Sequence, residues 1–372
     1  MKEDPGSFPA LGREQVDEIG RELDAMREEV LADLGEADAR HIRGVVRTAR
    51  ACAIAGRALL AFGVTPVSFV AGVAALATAK ILENMEIGHN VLHGQYDWMN
   101  DPSLDSRTYE WDNVCDASQW RHYHNFEHHT YTNVLGLDRD VGYGLVRVSE
   151  DQRWSPKHAL QPLTYPVLAL LFQWGVGIHD MDPARVLAGR RDDEQTRELR
   201  RQFPEKWRQF QRKAARQLFK DYVFFPLLTP WNAPRVFLGN LAANVARNLW
   251  TNAIIFCGHF PEGARYYTRE ETEDETRGDW YVRQVQGSAN IEGPRWFHVL
   301  SGHLSHQIEH HLFPDLPAWR YPGLAPRVQA LCEKHGIPYN TGSFVEQYGS
   351  VLAKIWTLAW PTAAPRPTVA EA

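Results

Sequence analysis

From Ala58 to Ala79 the chain runs 22 residues without a charge. That is enough to cross a bilayer as a helix. Pro66 falls inside it and predicts a hairpin, with one apolar helix over about 45–64 and a second over about 66–88. Arg47, Arg50 and Arg57 interrupt the first arm, which must snorkel its cations or lie shallow. Upstream, residues 8–40 carry apolar positions at helical spacing among many charges and predict an amphipathic, water-exposed helix. Residues 94–160 are polar and aromatic, and 161–180 (QPLTYPVLALLFQWGVGIHD) predict a further apolar helix. A second apolar stretch, about 218–258, is broken by Pro226, Pro230 and Pro234 and predicts a hairpin turning at 230–234. Residues 261–372 read as soluble in character, ending in a disordered tail, PTAAPRPTVAEA. The expected fold is all-α: an integral membrane bundle of about four transmembrane helices under a histidine-rich cap. Its expected parts are 1–44, an amphipathic N-terminal segment; 45–355, the membrane domain; and 356–372, a flexible tail.

Composition alters this picture little. A net charge of −6 offers no basic field for nucleic acid. Four cysteines without CxxC spacing suggest neither a disulfide framework nor a zinc–thiolate site. A mean hydropathy of −0.41 favours a soluble protein. Thirteen tryptophans and thirteen tyrosines suit membrane interfaces instead. Residues 1–40 have no apolar core of a cleavable secretory signal.

The candidate chemistry lies in the histidines. Most of the sixteen fall into three clusters: His89/His93; His122/His124/His128/His129; and His303/His306/His310/His311. Histidine is the commonest metal ligand, and this many suggest more than one ion. On an α-helix, residues i and i+4 differ by about 40° and share a face. His89 with His93, His124 with His128, and His306 with His310 all show that spacing, and His129 and His311 add neighbours. His259 ends a helix whose Asn240, Asn244, Asn248 and Asn252 recur every fourth residue. It is read as a further ligand, with Asn252 as a water-mediated contact and Asn240 and Asn244 as helix glue. Ligating imidazoles usually donate their other N–H to a carboxylate or carbonyl. Glu127, Glu309, Asn90, Asn125, Asp97 and Asp101 are the candidates for that role. Catalytic zinc takes three protein ligands, fewer than are supplied here, and no H-E-x-x-H pattern occurs. The Glu-x-x-His pairs of soluble di-iron bundles are also not evident.

One metal site needs all three clusters on the same side of the membrane. An even number of crossings must then separate His129 from His310. Residues 185–220 carry 12 Lys/Arg against 5 Asp/Glu, which the positive-inside rule places in the cytoplasm. In that arrangement 161–180 does not cross and 218–258 crosses twice. The alternative uses 161–180 and 235–258 as crossings, with the basic block outside.

The clusters resemble the three histidine boxes of the membrane fatty acid desaturase family. His89/His93 stands for the first, HNFEHHTYTN at 124–133 for the second and HQIEHHLFP at 306–314 for the third. The Gln307-Ile-Glu-His310-His311 form is similar to the front-end, linoleoyl-CoA-type branch. NMEIGHNVLHGQYDWMNDP at 84–102, WRHYHNFEHHTYTN at 120–133 and FCGHFPEG at 256–263 look closer still to actinobacterial acyl-CoA desaturases. The resemblance spans about 45–355. It implies a di-iron centre ligated by His89, His93, His124, His128, His129, His259, His310 and His311. For the third box the family pattern picks Gln307, whereas bare spacing picks His306. His303 stands where relatives often carry Asn. The implied reaction uses O2 and two electrons to remove two hydrogens from an acyl chain, leaving a cis double bond and water. No HPGG haem-binding stretch appears, so the electrons come from a separate flavin/iron–sulphur reductase or a ferredoxin. The substrate is an acyl-CoA or acyl lipid, and the location is the cell membrane, multi-pass, with the boxes facing the cytoplasm. The basic block could meet CoA phosphates or anionic lipid, and the acidic run at 270–275 could dock the electron donor, each against a plain solvated-loop reading. The same boxes also occur in hydroxylases and ketolases, the alternative enzyme reading. A non-catalytic membrane metal-binding or transport protein is the alternative outside enzymes.

Overall fold

A computed structural model describes residues 11–187 and 194–362. The expected tail lies outside these from residue 363 onward, as do 188–193 of the basic block. Helices dominate: α1 (Arg13–Ala32), α2 (Glu36–Phe62), α3 (Pro66–Leu82), α4 (Gln161–Leu170), α5 (Phe172–His179), α6 (Glu194–Phe219), α7 (Ala233–His259), α8 (Arg277–Gln286), α9 (Gln307–Leu312), α10 (Tyr321–His335) and α11 (Phe344–Thr357). Two three-residue strands, β1 (Asn290–Glu292) and β2 (Thr341–Ser343), pair in parallel. The chain forms two compact units. One draws on Met1–Ala39, Asn125–Val167 and Ala253–Ala372, the other on Arg40–His124 and Leu168–Asn252. This division differs from the sequence-based segments, because α1 belongs with the C-terminal third.

In the second unit, the predicted first hairpin is α2 and α3. Thr65 caps α3 by accepting from Ser68 N at 3.1 Å, with Pro66 at the first helical position. The arms approach closely because Gly56 has no side chain: a Cβ there would lie 2.7 Å from Leu76 N. The helix begun by α3 continues through a π-helical turn, Glu83–His89, to Leu92. Among the described residues, this Pro66–Leu92 helix is the one long and apolar enough to cross a membrane. The segment 161–180, expected as one helix, is α4 and α5, divided at Leu171 (φ −108°, ψ 24°).

The second hairpin turns where the prolines predicted, through a 3₁₀ turn at Pro230–Asn232. Asn232 Nδ2 donates towards the carbonyls of Leu60, Ala61 and Gly63 at 3.1–3.2 Å, closing the end of α2. The arm before the turn is the basic α6 continued through a second π-helical turn, Lys220–Phe224. Inside this unit Lys80 pairs with Asp221 at 2.8 Å, and Asn244 donates to the same carboxylate at 3.1 Å. Asn240 donates to Asp221 O at 2.8 Å and Asn248 to Leu170 O at 2.7 Å. Three of the four striped asparagines therefore join helices.

The first unit has a water-soluble style of core. Ile19, Leu23 and Met26 of α1 pack with Tyr281, Val285, Ile308, Leu312 and Phe313. Gly278 permits the α1–α8 contact, since a Cβ there would overlap Val16 O. On α11, Val345 and Trp356 are 78% and 62% exposed.

Candidate metal centre

The segment that carries His89 is π-helical, and so is the one that carries His124 and His128 (Tyr123–His128). π-turns recur at functional sites because they redirect side chains out of α-register. In the second unit, His89, His93 and His124 come together, their ligand nitrogens within 4.8 Å of one another. Their ring centroids are 4.6–5.3 Å apart, and Trp120 stacks on His124 at 4.2 Å. His89 Nδ1 lies 3.0 Å from Asn90 Oδ1.

In the first unit, two overlapping triads share His311. One is His128, His259 and His311; the other is His129, His310 and His311. All five are buried. The segment carrying His124 and His128 is π-helical rather than the α-helix that the spacing assumed. His124 packs with His89 and His93, while His128 packs with His259 and His311 at 4.8 and 5.1 Å.

The third box starts its helix at Gln307. His306 is the residue before α9, with φ −110° and ψ 59°, and His303 is left-handed at φ 55°. Gln307 thus shares a face with His310 and His311, and His306 falls off it. The Gln307 amide meets His259 Nε2 at 3.0 Å. His306 instead packs on His298 at 4.6 Å, and burial, then the charges of His298 and His303, push its pKa down to about 3.

The fit to a metal rests on buried polar atoms. His259 Nδ1 and Gln307 Oε1 are buried without a hydrogen bond. Burying such atoms unsatisfied is costly, and a cation ligated by the neighbouring donors relieves it. A half-turn of the Gln307 amide places its oxygen where the nitrogen stands. The donor set is imidazole with one amide, which suits a redox metal such as iron better than calcium or magnesium.

The orienting contacts mostly come from residues that sequence reasoning passed over. His128 Nδ1 faces both oxygens of Asp138 at 3.1 Å, the kind of contact by which a carboxylate orients an imidazole that ligates through its other nitrogen. Burial pulls the His128 pKa down, but the Asp138 carboxylate outweighs it and the net shift is upward. His311 Nδ1 lies 3.1 Å from Thr132 Oγ1 and 3.0 Å from Gln284 Oε1. The one available signal was Asp138 itself, a carboxylate closely following a histidine box.

Of the expected orienting residues, Asn90 touches a box histidine. Glu309 is wholly buried but bonds Asn290 and Tyr339, both at 2.8 Å, and burial raises its pKa to about 7. Glu127 pairs with Arg139 at 3.4 Å. Asp97 accepts from Ser106, and Asp101 from Ser103, so both tie their own loop. Asn125 lies half-buried in the π-turn, and Asn252 is buried in α7.

A mainly helical chain that gathers eight histidines into such sets has the donors of a metal-binding protein. The model of the fatty acid desaturase family matches residues 64–343, and the chain belongs to that family. It is 44% identical over 358 residues to the NADPH-dependent stearoyl-CoA 9-desaturase of Mycobacterium tuberculosis, covering 95% of this chain and 82% of that one. It is 26% identical over 290 residues to the sn-1 linoleoyl-lipid 6-desaturase of Synechocystis sp., covering 72% and 74%. The Delta(5) fatty acid desaturase A of Dictyostelium discoideum is 27% identical over 293 residues, covering 71% and 57%. The protein is thus an oxidoreductase, a fatty acid desaturase.

Proposed function

We propose that the protein desaturates a fatty acyl-CoA with O2, using two iron ions. The observation that carries this is the buried His128–His259–His311 triad with Gln307 against His259. One ion would be held there, with His129 and His310 alongside, and the other by His89, His93 and His124. Bound iron supplies the activation of O2 that C–H cleavage requires. The protein's share is positional. Asp138, Thr132 and Gln284 fix the imidazoles, and burial keeps bulk water from the ligand sets. The acyl-CoA reading follows the name of the mycobacterial relative, as does desaturation at the 9-position. The proposed setting is the cell membrane, crossed about four times with the boxes on the cytoplasmic side. A separate electron-transfer protein would supply the electrons. The apolar exposures on α2–α3 and around Pro230, such as Val64 and Val67 at 89% and 78%, support membrane burial of both hairpins.

The test is expression of the full chain with a matched reductase, followed by fatty acid methyl ester analysis. A new monounsaturated product is expected. His128→Ala should abolish it and lower bound iron. An oxygenated chain instead of an alkene would favour the hydroxylase reading. Bound zinc without iron would overturn both.

A further inference from the structure

A cavity of about 630 Å³ lies in the second unit between α2, α3 and the loop that follows the first histidine box. This volume falls in the range of small-molecule sites. Its walls are unusual for a membrane hairpin. Arg43, Arg47 and Arg50 face it from successive turns of α2, while Ala49, Ala53 and Ala79 leave room below them. Four carboxylates also line it, but each has its own partner. Glu83 takes the Tyr109 hydroxyl at 2.6 Å, Asp101 takes Ser103 and Arg43, and Asp112 and Glu110 take Lys220 and Lys213. Arg47 and Arg50 have no ion-pair partner among the described residues, and both are exposed. Two guanidinium forks thus stand one turn apart above a small-residue floor without an ion pair, and the Glu83 carboxylate that Arg50 acts on at longer range is already held by Tyr109.

We propose that this cavity binds a phosphate-bearing amphiphile, its phosphate on Arg47 and Arg50 and its apolar arm along Ala49, Ala53 and Ala79. Guanidinium groups bind phosphate through paired, charge-assisted hydrogen bonds, and a helix places i and i+3 residues side by side. The level is right for a headgroup. His41 of α2 contacts Glu86 at 2.8 Å, so this half of α2 lies beside the π-turn that ends in His89. Two sources share the chemistry: an acyl-CoA, and an anionic phospholipid at the cytoplasmic surface. Binding needs no turnover, so it stands or falls separately from the desaturase reading.

The test uses the purified full chain in neutral detergent, with stearoyl-CoA and phosphatidylglycerol as separate probes, read by native mass spectrometry. Arg47→Gln/Arg50→Gln should weaken at least one probe tenfold or more, and Arg47→Lys/Arg50→Lys should recover most of it. Ala53→Trp, which fills the floor and keeps both arginines, should block the same probe, and it decides the matter should the charge variant not fold. Loss confined to stearoyl-CoA identifies a substrate headgroup site, and loss confined to phosphatidylglycerol a lipid site. Both probes staying within twofold of the parent in the folded variants, judged by a single elution peak and unchanged iron content, would overturn the proposal.

Discussion

Replacing Asp138 by Asn isolates one orienting contact while leaving every proposed ligand in place. The side chain is 1% exposed and faces His128 Nδ1 with both oxygens at 3.1 Å. It also accepts from Asn133 N and Asp140 N, each at 2.9 Å. The amide keeps the shape but loses the charge and one acceptor. Loss of a carboxylate behind a ligating imidazole typically costs 10–100-fold in metal affinity, about 1.4–2.7 kcal/mol. An NH₂ facing a backbone N–H adds about 1–3 kcal/mol against the metal-free fold. These two effects separate in the assay. Anaerobic Fe(II) titration against a competing chelator reads the first, and thermal unfolding of the metal-free protein reads the second. The expected result is a 10–100-fold weaker iron site with a modestly lower Tm. Iron affinity within twofold of the parent, in a variant that still unfolds cooperatively, would refute the orienting role and with it ligation through His128 Nε2.

Gly258→Ala puts a Cβ 2.8 Å from Gln307 Cγ. Overpacking of this kind costs about 1–3 kcal/mol, and here Gln307 is the group that yields. Iron content and product yield should fall together while the Tm changes little; unchanged iron would separate Gln307 from the site. Burial pushes Lys354 down to about 8, with Glu262 partly offsetting it. Its folded pKa lies below that of the unfolded chain, so the unfolded state binds more protons between about pH 8 and 10.4. Stability from this group should therefore rise with pH across that window. Lys354→Met should flatten the rise, which a Tm series from pH 8 to 10 would show.

How much of this was legible in the sequence depends on the range of the interactions. Pro66 and the Pro230–Pro234 run specify both turns locally, and the turns lie where those residues stand. The box histidines were legible as candidate metal ligands because metal chemistry restricts residue type. The partners of their second nitrogens were not. Gln284 reaches His311 from 27 positions away, and Thr132 reaches it from 179. No local pattern marks such contacts. The placement of α1 was hidden for the same reason: its amphipathic stripe was visible, but the surface that covers it, α8 to α10, comes almost entirely from beyond residue 270.

The backbone itself held the other hidden information. A strict α-helix gives His124 and His128 one face and draws His306 into line with His310. The chain departs from α geometry at both places, with a π-turn through His124–His128 and a 3₁₀ turn ending at His306. The π-turn carries two histidines of one box, His124 and His128. The 3₁₀ turn removes His306 and lets the helix begin at Gln307, which then meets His259 from a distant helix. The third box is therefore defined by where its helix starts. That start follows from left-handed His303 and the turn after it, so restoring α geometry there, rather than changing a ligand, should be enough to exchange Gln307 for His306.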